Sequence, residues 1–230
     1  MKTEIVPYAG WENNLRFANG QAELIVSLDI GPRILSYRTP EGDNLLKNFP
    51  EQLGQAGEDA WMIRGGHRLW IAPEDEKISY HWDNEPVKSE ELEDGSILIR
   101  SWQQEPYKIR KDLQIRLADE TSQVDIWHAA TNEGEEPLQL ATWALTVFNP
   151  NGLAIFPQPP LGEHPRDLLP NRNIVVWPYT DLGDPRLIFG QRFITLQQLP
   201  DRPPLKLGLS HQEGWIAYLW GESLFFKTFD

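Results

Sequence analysis

The feature that most limits how this chain can fold is a succession of short runs with period-two alternation. They recur about every ten residues with no helical periodicity between them. In Ala22–Ile30, Leu24, Val26, Leu28 and Ile30 fall on one face, with Glu23, Ser27 and Asp29 on the other. In Lys108–Leu117, Ile109, Leu113, Ile115 and Leu117 face one way, and Arg110, Asp112, Gln114 and Arg116 the other. Further strands are predicted at Arg33–Tyr37, Ile97–Trp102, Val124–Thr131, Ile174–Trp177, Leu187–Leu196, Leu205–Leu209, Trp215–Trp220 and Leu224–Phe229. Leu138–Phe148 is apolar on both faces, which predicts a central strand covered on both sides. The best helical candidate, Glu51–Trp61, carries Gly54 and Gly57, each costing roughly 1 kcal/mol against Ala, so a short helical turn is expected there at most. Turn formers are dense, with 17 Gly and 19 Pro in 230 residues, as many short strands require. The expectation is an all-β fold, a large antiparallel β-sandwich with little helix, forming one domain over residues 1–230.

Charge and composition narrow the function. A net charge of −13 repels phosphate backbones and argues against nucleic acid as a partner. No apolar run approaches the ~20 residues of a membrane span. The opening Met1-Lys2-Thr3-Glu4 has no secretory pattern, which predicts a cytoplasmic protein. The absence of cysteine excludes disulfides and thiol chemistry. No G-x-G-x-x-G, P-loop, H-E-x-x-H or G-x-S-x-G occurs, and no His pair has helical spacing, so neither cofactor nor metal is expected. Open sheet edges could pair into a homodimer.

One segment concentrates chemistry. Trp61–Val87 holds His67 and His81, Arg64 and Arg68, Trp61, Trp70, Trp82 and Tyr80, with the acids Glu74, Asp75, Glu76, Asp83 and Glu85. Gly65-Gly66 allows a sharp turn or a close backbone approach. Aromatic rings that accept the apolar face of a pyranose, flanked by planar hydrogen-bonding groups, are what a sugar site needs. The candidate contacts are Arg64, Arg68, Trp70, Asn84 and Trp143. Each has a plainer alternative. The arginines could pair with Glu74, Asp75 or Glu76, and Trp70 and Trp143 could be core. His128 continues the face of Val124 and Ile126 and reads as a core or rim residue.

Arg64-Gly65-Gly66, then Trp70 and Pro73, then His81, resembles the galactose mutarotase-like group, which includes aldose 1-epimerases and hexose-6-phosphate mutarotases. Leu24–Ile30, Gly31-Pro32-Arg33-Ile34, Ser36 and Asn44-Leu45-Leu46 look like that family's first strands. Leu140–Phe148 with Asn149 is similar to its central strand and F-N turn. The resemblance implies a supersandwich with a sugar bound on an open concave face. Three positions depart from the family's pattern. Glu85 stands where the phosphate-specific branch has arginine, Thr142–Thr146 lacks the second histidine, and no counterpart of the late carboxylate strand occurs up to Asp230, so that strand either follows Asp230 or the base is lacking.

Mutarotation opens the hemiacetal with one acid and one base. His81 or His67 is the expected acid, and Glu74 the visible base, with a downstream Glu as the alternative. The competing readings are a non-catalytic carbohydrate-binding protein on the same fold, or a glycoside hydrolase or lyase using Glu74 and Asp83.

Overall fold

The computed structural model describes residues 2–80, 83–102, 108–210 and 212–229. The chain is all-β, and its strands pair antiparallel throughout the described residues. It divides into two compact units, Met1–Phe148 and Asn149–Asp230.

The first unit is a sandwich of two sheets. One has six strands in the order β1 (Lys2–Tyr8), β2 (Trp11–Ala18), β3 (Glu23–Ser27), β4 (Arg33–Arg38), β5 (His67–Ala72) and β10 (Ala141–Thr146). The other has four, in the order β6 (Lys88–Glu91), β7 (Ile97–Arg100), β8 (Ile109–Leu117) and β9 (Val124–Asn132). Leu15, Phe17, Leu24, Val26 and Ile34 of the larger sheet pack against Ile97, Ile99, Leu113, Ile115 and Leu117 of the smaller. The alternation of Lys108–Leu117 is therefore realised, with its apolar row turned into the sandwich. Lys111 stands in that same row, and only 5% of it is exposed.

The run Leu138–Phe148 behaves differently from its sequence. Its strand β10 closes the edge of the six-stranded sheet, with β5 as its partner there, rather than lying centrally. The apolar character of both faces has another cause. Trp143 packs edge-to-face on Trp70 on one side, and Thr146 meets His67 on the other. Helix is confined, among the described residues, to one 3-10 turn at Pro50–Gln52, as the glycines that follow it lead one to expect. No helix among the described residues is long and apolar enough to cross a membrane, a statement that does not bear on β-barrels.

The second unit holds a five-stranded sheet in the order β13 (Leu187–Phe189), β14 (Phe193–Gln197), β11 (Leu153–Pro157), β16 (Trp215–Trp220) and β17 (Ser223–Thr228). A two-stranded ribbon pairs β12 (Ile174–Val176) with β15 (Leu207–Leu209). The run Leu187–Leu196 is two strands, because Gly190 N–H donates to Phe193 O at 2.9 Å and turns the chain between them. Tyr218 fastens the turn that opens this unit. Its hydroxyl donates to Asn149 O at 2.5 Å and accepts from Gly152 N–H at 3.1 Å. Replacing that hydroxyl strands a buried amide. Tyr218→Phe is expected to cost about 1–2 kcal/mol, measurable as faster hydrogen exchange at the Gly152 amide together with a lower unfolding midpoint.

Candidate functional site

Alternation along β5 sends its residues to opposite sides of the sheet. His67 pairs with Ile34, a core residue of the sandwich, and alternation puts Leu69 and Ile71 on the same side. Arg68 and Trp70 point the other way, under the connections 39–66 and 73–87. Three successive residues with positive φ, Arg64 (47°), Gly65 (89°) and Gly66 (75°), bring the chain into β5. Gly66 N–H donates to Lys47 O, and Val147 N–H donates to Gly66 O, both at 2.9 Å.

Under these connections lies a buried ion-pair network. Arg33 Nη2 donates to Asp83 Oδ2 at 2.6 Å, and Arg68 Nη1 reaches the same oxygen at 3.3 Å. Arg33 Nη1 also donates to the carbonyls of Ile63 and Gly65. Arg64, wholly buried, pairs with Glu58. The sequence offered Glu74, Asp75 and Glu76 as partners for the two arginines; the structure uses Asp83 and Glu58 instead. Asn84 acts as a staple. Its Nδ2 donates to Glu58 O at 2.8 Å and Ala60 O at 2.7 Å, while its backbone carbonyl accepts from Gly57 N–H.

Burial alone would disfavour an ionised Asp83. The positive field of Arg33, Arg68, Lys111 and Arg64 outweighs it and holds the carboxyl well below the usual carboxylate range. Burial acts on the cations in the opposite sense. Arg68 is lowered, and Lys111 is pushed down to about 8 despite the attraction of Asp83. Lys111, Asp83, Asp112, Pro32, Leu69 and Leu113 line a recess of about 10 Å³, room for one water and not for a sugar ring.

Beside the network is an aromatic cluster. Trp70 meets Trp61 at 5.7 Å, Tyr80 at 5.1 Å and Trp143 at 5.7 Å, all edge-to-face. The guanidinium of Arg68 lies over Trp61 and Trp70, at 5.4 and 4.9 Å from the ring centroids. Trp70 is buried, while Trp61, Tyr80 and Trp143 are half-exposed. At the rim, Tyr80 O–H donates to Glu74 Oε1 at 2.6 Å, and Glu74 is exposed.

The structure thus brings Arg64, Arg68, Trp70, Asn84, Trp143 and Glu74 to one side of β5. His67 is elsewhere, on the inner side, with Thr146 and His128. His81 lies outside the described residues. Glu58, Arg33 and Lys111 were not singled out from sequence. Lys111 left a signal, a cation interrupting the apolar row Ile109–Leu117; Glu58 left none.

Polar atoms with open valences gather in the same place. Among the described residues, ten buried side-chain nitrogens and oxygens lack a hydrogen-bond partner, and seven belong to Arg33, Glu58, Trp61, Arg64, Asp83 and Asn84. Four are donors (Arg33 Nε, Trp61 Nε1, Arg64 Nε and Nη1) and three are acceptors (Glu58 Oε1, Asp83 Oδ1, Asn84 Oδ1). Fold and site together define an all-β sandwich protein with a buried cation–carboxylate network against an aromatic face. No protein-family model matches the chain, and neither a curated protein nor a solved structure does.

Proposed function

We propose that this protein binds a pyranose sugar on the aromatic face formed by Trp61, Tyr80 and Trp143, with Glu74 at its rim and the arginine network behind it. The observation that carries the proposal is the gathering of unpartnered donors and acceptors beside that face. Buried polar groups in folded proteins are nearly all satisfied. A ligand rich in hydroxyls supplies both kinds of partner from neighbouring carbons, and its C–H face suits exposed indole and phenol rings. Because these atoms are sealed and the recess beside Asp83 takes only one water, a sugar engages them only if the cover over the network opens on binding.

The enzymatic form of this reading, aldose 1-epimerase-like exchange of anomers, assigns the acid to His81 and the base to Glu74. His67 does not suit the acid's part, because it faces away from Glu74 toward Thr146 and His128. That separation favours the non-catalytic alternative, a carbohydrate-binding protein on the same sandwich. A hydrolase pair of Glu74 and Asp83 is disfavoured, since Asp83 is held ionised between two guanidinium groups. Cytoplasmic residence belongs to the same proposal.

Titration with D-glucose or D-galactose, followed by tryptophan emission and by ligand-line broadening in proton NMR, is expected to saturate. Trp143→Ala and Glu74→Gln should each weaken binding at least tenfold. Unchanged spectra at every sugar concentration would refute the proposal. Polarimetry then separates enzyme from binder. Accelerated anomer exchange that is lost in His81→Ala identifies a mutarotase, and binding without acceleration identifies a lectin-like protein.

A further inference from the structure

On the inner side of β5, independently of any sugar, two imidazoles converge. His67 Nε2 and His128 Nε2 stand 3.0 Å apart, brought together across 61 residues from β5 of one sheet and β9 of the other. Their rings are tilted by 40°, with centroids 5.0 Å apart. His67 Nδ1 lies 2.8 Å from Thr146 Oγ1 on the neighbouring β10. We propose that His67 and His128 form a binding site for a divalent transition metal ion of the zinc and copper class.

Three observations support the assignment. The first is spacing. With Zn–N bonds of 2.0–2.1 Å, two nitrogens on a tetrahedral ion lie about 3.3 Å apart, so the observed pair need separate by only ~0.3 Å to share one ion. The second is orientation. A metal-bound histidine donates its other ring N–H to a fixed partner. The Thr146 hydroxyl can accept from Nδ1–H of His67, which turns the Nε2 lone pair toward His128. The third is access. His67 is buried, and His128, on the edge strand of its sheet, is half-exposed, so an ion can arrive from the β9 side. Among the described residues no cluster of three or more His, Cys, Asp or Glu surrounds such an ion. The ion would keep water on its remaining positions, and imidazole nitrogen suits zinc and copper far better than calcium or magnesium. Sequence could not show this pair, because each histidine stands alone on its own strand.

The test uses the full chain, stripped with a chelator and titrated separately with ZnCl2 by calorimetry and with CuCl2 by electron paramagnetic resonance. The expected result is one ion per chain, with nitrogen superhyperfine structure from two imidazoles. Affinity should fall at least tenfold in His128→Asn and in His67→Asn, and tenfold or more in Thr146→Val. His164→Ala, in an exposed turn, should change nothing. His128 is half-exposed, so its variant is expected to fold, and circular dichroism checks this. Three results would overturn the proposal: no binding by the unaltered chain, one-to-one binding that survives both histidine changes, or an imidazole–imidazole hydrogen bond that persists in nitrogen-15 NMR at saturating zinc.

Discussion

Gly65→Ala and Gly66→Ala should each abolish the fold. A Cβ at Gly65 would stand 1.8 Å from Lys47 O, and one at Gly66 would stand 2.2 Å from Ile34 O. In both cases the obstacle is backbone, which cannot rotate aside as a side chain can. The glycines also have φ of 89° and 75°, a region that L-residues enter only with strain. Relief would require breaking the hydrogen bonds Gly66 N–H to Lys47 O and Val147 N–H to Gly66 O, and β5 sits between β4 and β10 in the sheet. The expected loss exceeds about 4 kcal/mol, enough to remove a cooperative transition in urea. Gly95→Ala is the internal control. Its φ is 77°, but nothing lies within 4 Å of the added carbon, so only the conformational strain of about 1–2 kcal/mol remains. A variant at Gly65 or Gly66 that unfolded like Gly95→Ala would show that the connection 61–67 does not adopt this path.

Asp83→Asn carries the second large effect. The change keeps the shape but removes the carboxylate that pairs with both Arg33 and Arg68. Breaking a buried pair from one side typically costs about 3–5 kcal/mol, because the remaining charge is stranded. Here two guanidinium groups are left, with Lys111 close by. The same carboxylate sets an acid limit. Its folded pKa lies below that of the unfolded chain, so the unfolded state binds more protons as pH falls below about 4. The stabilisation is complete above that pH and drains away beneath it. Asp83→Asn should flatten that limb of the stability curve. Lys111 acts at the other end of the pH range with the same trend. Its folded pKa of about 8 lies below the usual ~10.4, so between those values the unfolded chain again holds more protons and stability rises with pH. Urea midpoints measured from pH 3 to pH 10 read both limbs. A variant as stable as the parent at pH 7 would mean that Asp83 does not balance the arginines.

Much of the sandwich is written in local alternation. The inward row of β8 could be read residue by residue because each apolar side chain recurs at every second position. Its one exception, Lys111, marks where the core becomes polar. The edge position of β10 could not be read the same way. Apolar residues on both faces signal cover, but not whether the cover is a flanking sheet, an aromatic cluster or a histidine from the neighbouring strand. Strand β5 was hidden for a related reason. His67, Arg68 and Trp70 obscure a period of two that Leu69 and Ile71 alone are too few to reveal. At the site, residue types were legible and partners were not. Arg64 and Arg68 stood out by sequence, yet their carboxylates, Glu58 and Asp83, are chosen by loop closure between strands rather than by proximity along the chain.

The interlocked indoles have an optical consequence. Trp70 lies 5.7 Å from both Trp61 and Trp143, close enough for their excited states to couple, so a far-ultraviolet dichroic couplet and rapid energy migration among the rings are expected. Any guest displacing one of them would alter both signals at once, so the bare polypeptide is its own sensor and needs no attached dye.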